Sequence, residues 1–141
     1  MKAVSRSWSA RLLLVFVLAA AAACDDETPT NPNTPREPVT ETFAGSVPSS
    51  GAQTHQFSTA GSGTVTATLR EVGPGADLTI GFSLGNWNGS SCQIILANDA
   101  AKGGAVLTGT VSGIGNFCLR MYDVGNIGTT PASYRVDVVH P

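Results

Sequence analysis

The sequence predicts an all-β domain, an antiparallel β-sandwich of about eight short strands. Three observations support this prediction. Apolar and polar residues alternate with a period of two, glycine-rich turns recur between the alternating segments, and no segment combines helical periodicity with capping residues. Charged residues make up only 13% of the chain, and glycine occurs 16 times. This composition is typical of β domains with tight turns and hydroxyl-bearing exposed faces.

Four segments alternate strictly and are the strongest strand candidates. In one of them, Val65, Ala67 and Leu69 fall on one face, while the threonines between them fall on the other. Strict alternation indicates a strand with one face in a core and the other in water. Four weaker candidates complete the set. The eight predicted strands are 42–47, 54–58, 64–70, 78–84, 92–97, 106–111, 117–121 and 134–138.

Glycine and proline mark the predicted breaks between these strands. Glycine adopts the backbone conformations that tight turns need, and proline cannot donate to a strand ladder. We therefore expect each segment rich in these residues to end a strand. The predicted breaks are 48–51, 61–63, 73–75, 85–89, 103–104, 113–115 and 125–131.

Residues 1–23 have the features of a bacterial export signal. Lys2, Arg6 and Arg11 precede an apolar run of twelve residues, 12–23. A helix of that length rises about 18 Å, which is too short for a hydrocarbon core of about 30 Å but suits a signal peptide. The run ends in Ala-Ala-Ala-Cys, which resembles the lipobox of bacterial lipoproteins, so we expect Cys24 to be lipidated. The alternative is ordinary cleavage that leaves Cys24 unmodified.

A disordered tether is predicted for residues 24–40, and the β domain for residues 41–141. Residues 25–40 are polar and proline-rich, and their one aliphatic side chain is that of Val39, so they cannot bury enough apolar surface to offset the entropy of ordering. The expected location is the cell envelope, by lipid anchorage at the outer membrane, the cell surface or the periplasmic face of the inner membrane. We expect the protein to be a monomer.

The charge balance argues against nucleic-acid binding. Without residues 1–23, five basic and ten acidic residues remain, which gives a net charge of −5. The sequence contains no cluster of lysine or arginine that would neutralise phosphate groups.

Cys92 and Cys118 are expected to form a disulfide, since bonds of this kind persist in exported proteins. Lipidation of the first cysteine leaves these two as an even pair, and closing their loop contributes about 3.5 kcal/mol on the chain-entropy estimate. The alternation predicts opposite faces for the two cysteines. Cys118 alternates in step with the outward-pointing Arg120, whereas Cys92 alternates in step with the apolar Ile94 and Leu96. Either the bond lies on an outer sheet face with a bulge near Cys92, or the facing of that strand is off by one.

Several strand and turn patterns resemble those of the bacterial pre-peptidase C-terminal domain. The resemblance covers about residues 41–140 and implies a jelly-roll-like β-sandwich, commonly an accessory module of secreted exoenzymes. Some relatives bind collagen, with calcium supporting the fold. Here no peptidase precedes the domain and no acidic cluster matches calcium ligands, so neither property is carried over by residue. The matching segments are Glu41–Val47, Thr54–Thr59, Gly63–Leu69, Gly115–Asp123 and Ser133–Val138.

No set of side chains points to catalysis, and we expect this protein not to be an enzyme. His55 and His140 are the only histidines, and no Gly-x-Ser-x-Gly motif is present. His55 is expected to be a hydrogen-bonded structural residue, and His140 to be frayed near the C-terminus. Asp99 and Asp123 lie at loop ends, where such residues cap turns, with a calcium site as the alternative. No metal or cofactor is expected.

Trp87 is the strongest indication of a binding site. It lies in the polar turn segment 85–89, and sugar-binding modules stack rings on such tryptophans beside asparagine amides. Trp87, Asn86 and Asn88 are therefore the candidate ligand-binding residues, and the alternative is that Trp87 closes the end of the sandwich. The sequence favours a non-catalytic binding or adhesion module with a weakly bound protein or glycan ligand. The alternative is a structural or folding accessory of the envelope without a dedicated ligand.

Overall fold

Residues 36–141 are described by a computed structural model of the chain. The predicted signal peptide 1–23, the lipidation site Cys24 and most of the predicted tether lie outside the described residues. Strands make up 71% of the described part, and it contains no helix, so the prediction of an all-β domain is confirmed. Within residues 36–141, no helix is long and apolar enough to span a bilayer.

Six strands, all paired antiparallel, form a single hydrogen-bonded sheet. The strands are β1 (Val39–Val47), β2 (Ala52–Gly73), β3 (Ile80–Trp87), β4 (Cys92–Ala101), β5 (Val106–Tyr122) and β6 (Ala132–His140). They lie in the order β1-β6-β2-β5-β3-β4. Because β1 begins at Val39, two residues before the expected boundary, the ordered domain includes the end of the predicted tether.

The prediction of eight short strands is wrong, because two pairs of predicted strands are continuous. The joined segments are 54–58 with 64–70 in β2, and 106–111 with 117–121 in β5. These two long strands pair with each other without a break, from Ala52 opposite Tyr122 to Thr68 opposite Val106. The other four predicted strands each overlap one observed strand.

Two glycine-rich segments that were expected to end strands instead lie opposite each other inside β2 and β5. Gly61 pairs with Gly113, and Gly63 pairs with Val111. Glycine weakens a strand because it has no side chain to pack. Here each weak segment keeps its ladder partners, since the other strand continues alongside it. The expected breaks therefore lie within a continuous ladder.

The first half of β2 contacts strands to which it is not hydrogen-bonded. Phe57 lies against His140 of β6, with ring centroids 5.1 Å apart, and His55 stacks on Phe43 of β1 at 5.0 Å. Yet β6 pairs only with the later part of β2, from Thr66 onward. A straight strand of 22 residues would be about 73 Å long. These contacts therefore require β2 to bend, and the glycine-rich segment separates its two halves.

The core follows the predicted alternation. Val65, Ala67 and Leu69 of β2 are at most 1% exposed, and the threonines between them are half-buried. Burying a large aliphatic side chain contributes roughly 1.5–3 kcal/mol. We call the side of the sheet that carries this core the core face and the opposite side the outer face. The buried core comprises Val47, Phe57, Val65, Ala67, Leu69, Ile80, Phe82, Leu84, Ala101, Leu119, Met121, Ile127, Ala132, Tyr134, Val136 and Val138.

The predicted disulfide between Cys92 and Cys118 is present, with the sulfur atoms 2.08 Å apart. Cys118 is fully buried, but it is not part of the contiguous cluster that the other buried apolar side chains form. It alternates along β5 with Leu119 and Met121, which do belong to the core. Cys118 therefore lies on the outer face, as its phase predicts.

A bulge in β4 resolves the conflict in facing at Cys92. The adjacent β3 residues Leu84–Gly85 pair with Leu96 and Ile94, which leaves Ile95 as an extra residue on β4. Because of one extra residue, side chains of the same sequence parity point to opposite faces of the sheet before and after the bulge. Leu96 consequently packs against the core while Cys92 reaches the outer face. Of the two alternatives, an outer-face bond with a bulge near Cys92 is the one observed.

Candidate functional site

The outer face of β2, β5 and β3 carries polar and aromatic side chains close to the disulfide. Arg120 and Tyr122 occupy alternate positions of β5 on this side, and Thr54 is the cross-strand partner of Arg120. Trp87 is the cross-strand partner of Cys92. Directly opposed residues in a sheet point to the same face and contact each other. The strand register therefore gathers these side chains from four strands.

An open cleft of about 360 Å³ lies on this part of the outer face. It contains an indole, a guanidinium and three hydroxyl groups, and the disulfide forms one of its sides. We call it the Trp87 cleft. Its lining residues are Thr54, Trp87, Ser90, Ser91, Cys92 and Arg120.

Trp87 lies outside the core. It belongs neither to the buried core nor to the partly buried apolar side chains that pack against it, and its own side chain is half-buried. It is the last residue of β3, not part of the turn as expected, because its pairing with Cys92 extends the strand. The indole thus lies beside the disulfide on the outer face.

Asn86 does not line the Trp87 cleft. It has the same phase on β3 as Phe82 and Leu84, which are core residues, so it is directed to the opposite side of the strand from Trp87. It lies at the exposed end of that side. The prediction that Asn86 flanks a ligand together with Trp87 does not match this placement, because adjacent strand residues face opposite ways.

Asn88 holds the turn between β3 and β4. Its Oδ1 accepts hydrogen bonds from the backbone amides of Ser90 and Ser91 at 3.0 and 2.8 Å. The hydroxyl groups of the same two serines donate to it at 3.1 and 3.3 Å. Asparagine commonly stabilises turns in this way. Its side chain is therefore used within the turn, where it positions two serines that line the cleft.

Arg120 is the charged residue of the cleft, and it was not among the predicted ligand-binding residues. Its guanidinium carbon lies 5.7 Å from the centroid of the Tyr122 ring, within the range of a cation–π interaction. Within residues 36–141 it has no carboxylate partner. The outward phase of Arg120 is visible in the sequence, but its proximity to Trp87 depends on the sheet order. Three other basic side chains are paired: Arg70 with Asp137, Lys102 with Asp77 and Arg135 with Glu71.

Tyr122 provides the aromatic ring that the Arg120 guanidinium contacts on the outer face. Its ring covers Gly81 so closely that a Cβ atom at that position would lie 2.2 Å from a ring carbon, so glycine is required there. Its hydroxyl donates a hydrogen bond to the Asp99 carboxylate. Burial, followed by this hydrogen bond, raises the pKa of Tyr122 to about 12. The phenol is neutral at physiological pH, so the ring faces Arg120 without adding a negative charge.

The two histidines are each engaged with another side chain and line no part of the Trp87 cleft. His55 Nε2 lies 2.7 Å from the Tyr134 hydroxyl, and burial lowers the pKa of His55. The expected hydrogen bond of His55 is present. His140 is only 3% exposed, and its Nε2 lies 2.9 Å from Glu41 Oε1. The expected fraying of His140 is therefore wrong, because β6 extends to this residue and its ring packs on Phe57.

Asp123 closes a turn, as the sequence predicts. Its carboxylate accepts hydrogen bonds from the backbone amide of Ser50 at 2.7 Å and from those of Gly125, Asn126 and Ile127 at 2.8–3.1 Å. These donors, of which Ser50 contributes most, hold the pKa of Asp123 below its usual value. In the described part of the chain, no group of three or more His, Cys, Asp or Glu residues is placed to hold a metal ion.

A second cavity, of about 260 Å³, lies between β4 and β5. Aliphatic and aromatic side chains dominate its lining, and none of the lining residues is charged. An apolar cavity of this kind discriminates by shape and offers few directional contacts. It lies at the margin of the core, and its lining residues are Val65, Leu84, Gly85, Ile95, Leu96, Thr108, Gly109, Thr110, Val111 and Phe117.

No protein-family model and no curated protein matches this chain. The resemblance to the pre-peptidase C-terminal domain therefore stays a prediction.

Proposed function

We propose that this chain is a non-catalytic binding or adhesion module, displayed at the bacterial cell envelope by a lipid on Cys24, with an extracellular glycan or protein as its ligand. The observation that carries the proposal is the Trp87 cleft, where a half-buried indole outside the core lies near a guanidinium that has no carboxylate partner within residues 36–141. Tryptophan and arginine are enriched among the residues that dominate binding energy. Both side chains line the same cleft, so an indole ring and guanidinium N–H groups are presented together.

The surroundings of the cleft support a preformed site. The disulfide ties β4 to β5 beside it, and Asn88 fixes the turn that carries Ser90 and Ser91. A preorganised site loses less conformational entropy when a ligand binds. One indole contributes about 0.5–1.5 kcal/mol of stacking beyond its buried area. We therefore expect weak binding, with dissociation constants from micromolar to millimolar.

A two-layered, jelly-roll-like sandwich is the fold that we propose in detail. In this arrangement the sheet folds back on itself at the opposed glycine-rich segments of β2 and β5. The contacts of Phe57 with His140 and of His55 with Phe43 support it, since they join the first half of β2 to β6 and β1, with which that half is not paired. A module of the pre-peptidase C-terminal type would have this architecture.

The anchoring proposal rests on the cysteines. Cys92 and Cys118 are bonded to each other, which leaves Cys24 as the third cysteine of the chain. This parity supports lipidation of Cys24, and two or more acyl chains hold a protein on a membrane stably. The fourteen residues between Cys24 and β1 would span up to ~43 Å as an extended proline-rich segment. The cleft would then be presented at a distance from the membrane surface.

A non-catalytic role is supported by the positions of the histidines. A general base needs a nucleophile or a substrate proton within hydrogen-bond reach. The partners of His55 and His140 are the Tyr134 hydroxyl and the Glu41 carboxylate, and neither pair lines the Trp87 cleft.

The experiment that tests the proposal compares the wild type with Trp87→Ala on glycan and matrix-protein arrays. We expect weak hits with the wild type and their loss in Trp87→Ala. The free energy of unfolding should fall by about 1 kcal/mol or less, as for residues outside a core. Ile114→Ala, which removes an apolar side chain that is 69% exposed and outside the cleft, is the control and should keep the hits.

Two results would contradict the proposal. One is a set of hits that Trp87→Ala leaves unchanged. The other is a loss of stability of roughly 3–5 kcal/mol in Trp87→Ala, which is typical of an emptied aromatic core site. Such a loss would make Trp87 a packing residue and would favour a structural accessory without a dedicated ligand.

A further inference from the structure

The charge of Arg120 is not balanced by a neighbouring carboxylate. Arg70, Lys102 and Arg135 lie 2.7, 3.2 and 2.8 Å from carboxylate oxygens, whereas no such contact is made by Arg120 within residues 36–141. The carboxylate of Asp99 is held by the Tyr122 hydroxyl. The Trp87 cleft therefore contains one positive charge and no acidic lining residue.

A guanidinium in such a cleft is suited to a planar monoanion. Its N–H groups form a fixed fork that matches the two oxygens of a carboxylate. The guanidinium carbon of Arg120 lies 5.7 Å from the centroid of the Tyr122 ring, and its N–H groups make no carboxylate contact within residues 36–141. One positive charge balances a monoanion, and a dianion such as a phosphate monoester would remain partly unpaired.

The other lining groups match a sugar ring. Trp87 offers an indole face on which the C–H groups of a pyranose pack. The Thr54 hydroxyl has no hydrogen-bond partner within the described part of the chain, and it lies opposite Arg120 in the sheet. The hydroxyls of Ser90 and Ser91 donate to Asn88, and Ser91 Oγ also accepts a hydrogen bond from Gln93 Nε2 at 2.9 Å. The Ser90 oxygen is therefore the better acceptor for a ligand hydroxyl. Sugar hydroxyls supply both the donors and the acceptors that these groups need.

We propose that the Trp87 cleft recognises acidic sugars, with the ring of a hexuronate residue stacked on Trp87 and its carboxylate bound by Arg120. This inference rests on the proposed binding function and names the ligand class of the same cleft. It also assigns the two side chains different tasks. Trp87 provides affinity for sugar rings in general, and Arg120 provides the selectivity for a carboxylate.

The test uses the full-length mature protein in non-ionic detergent, with tetragalacturonate and tetraglucuronate as probes. Their methyl esters are the matched neutral controls, because they keep the rings and remove the charge. Galactose 6-sulfate supplies a negative charge without a carboxylate. Binding is followed by calorimetry and by indole fluorescence, since Trp87 is the sole tryptophan once residues 1–23 are removed.

We expect at least one of the two uronates to bind, and its methyl ester to bind about tenfold to a hundredfold more weakly. Arg120→Gln should weaken uronate binding to the level of the ester and leave ester binding unchanged. The control is Arg135→Gln, which makes the same change in charge at an exposed pair on β6 and should bind like the wild type. Thermal unfolding of both variants verifies that they are folded.

Three results would overturn the inference. Equal binding of uronate and ester would remove the role of the carboxylate while the proposed function would stand. Equal binding of galactose 6-sulfate and uronate would replace carboxylate recognition by general anion binding. No binding of either uronate would also overturn it, and array hits that depend on Trp87 would then show that the binding function holds for another ligand class.

Discussion

Replacing both Cys92 and Cys118 with alanine should lower the stability of the domain by an amount that follows from the loop they close. The two residues are 26 positions apart, and the chain-entropy relation gives about 3.5 kcal/mol for a loop of this length. For a domain of this size, each kcal/mol shifts the melting temperature by roughly 4 °C. The expected change in melting temperature is therefore about −14 °C.

The assay is thermal unfolding of the double alanine variant and of the wild type, with and without reductant. Reduced wild type should melt close to the double variant, and Cys24→Ala should melt like the unreduced wild type. Thiol titration of unfolded, unreduced Cys24→Ala should detect no free thiol. A double variant that melts within about 3 °C of the wild type, less than 1 kcal/mol on the same scale, would refute the loop-closure reasoning.

Three further predictions concern other parts of the chain. Asp123→Asn should lower the urea midpoint at pH 7. The folded pKa of Asp123 is depressed, so its ionised carboxylate stabilises the fold at pH values above the unfolded pKa of about 3.9. The difference in urea midpoint between the wild type and Asp123→Asn should therefore shrink as the pH falls through the folded pKa. Gly85→Ala should be strongly destabilising, since its Cβ would lie 2.1 Å from the Gln93 carbonyl oxygen. The control is Gly75→Ala, which should melt like the wild type because the new Cβ would have no neighbouring atom within 4 Å. Cys24→Ala should release the protein from membranes into the soluble fraction, and a variant that still partitions with membranes would contradict lipid anchoring.

The alternation of residues was sufficient to predict which face of the best-patterned strand joins the core. Val65, Ala67 and Leu69 alternate with threonines, and the same phase holds in the structure because each strand has only two faces. The disulfide was also predictable, since three cysteines with one expected to be lipidated leave a single pairing. These properties depend on local pattern or on counting. They do not require knowledge of which strands are neighbours.

The number of strands was not predictable from the same pattern. Gly61 and Gly113 have the composition of turns, but each continues its strand because it lies opposite the other. Such a pairing joins residues 52 positions apart and has no local signature. The same reason explains His140, which was expected to fray and is held by Glu41 and Phe57 from distant strands.

The candidate site was predicted in part. Trp87 was identified from its unusual setting among glycine and asparagine, and it lines the cleft. Asn86 and Asn88 were named with it because they are its sequence neighbours, although strand geometry turns one away and the turn uses the other. Arg120 is 33 positions from Trp87 and reaches the cleft only because β5 pairs with β3. A binding site on a sheet face is assembled by strand order, which the alternation pattern does not contain.

The most direct test of the central claim is chemical-shift mapping of the isotope-labelled protein with an array ligand or a uronate. The mature chain has one tryptophan, so a single indole N–H signal reports on Trp87. If the Trp87 cleft is the binding site, this signal and the amides of Thr54, Ser90, Ser91 and Arg120 should shift with ligand concentration. Shifts confined to the apolar cavity around Ile95, Leu96 and Val111, with the indole signal unmoved, would contradict the assignment.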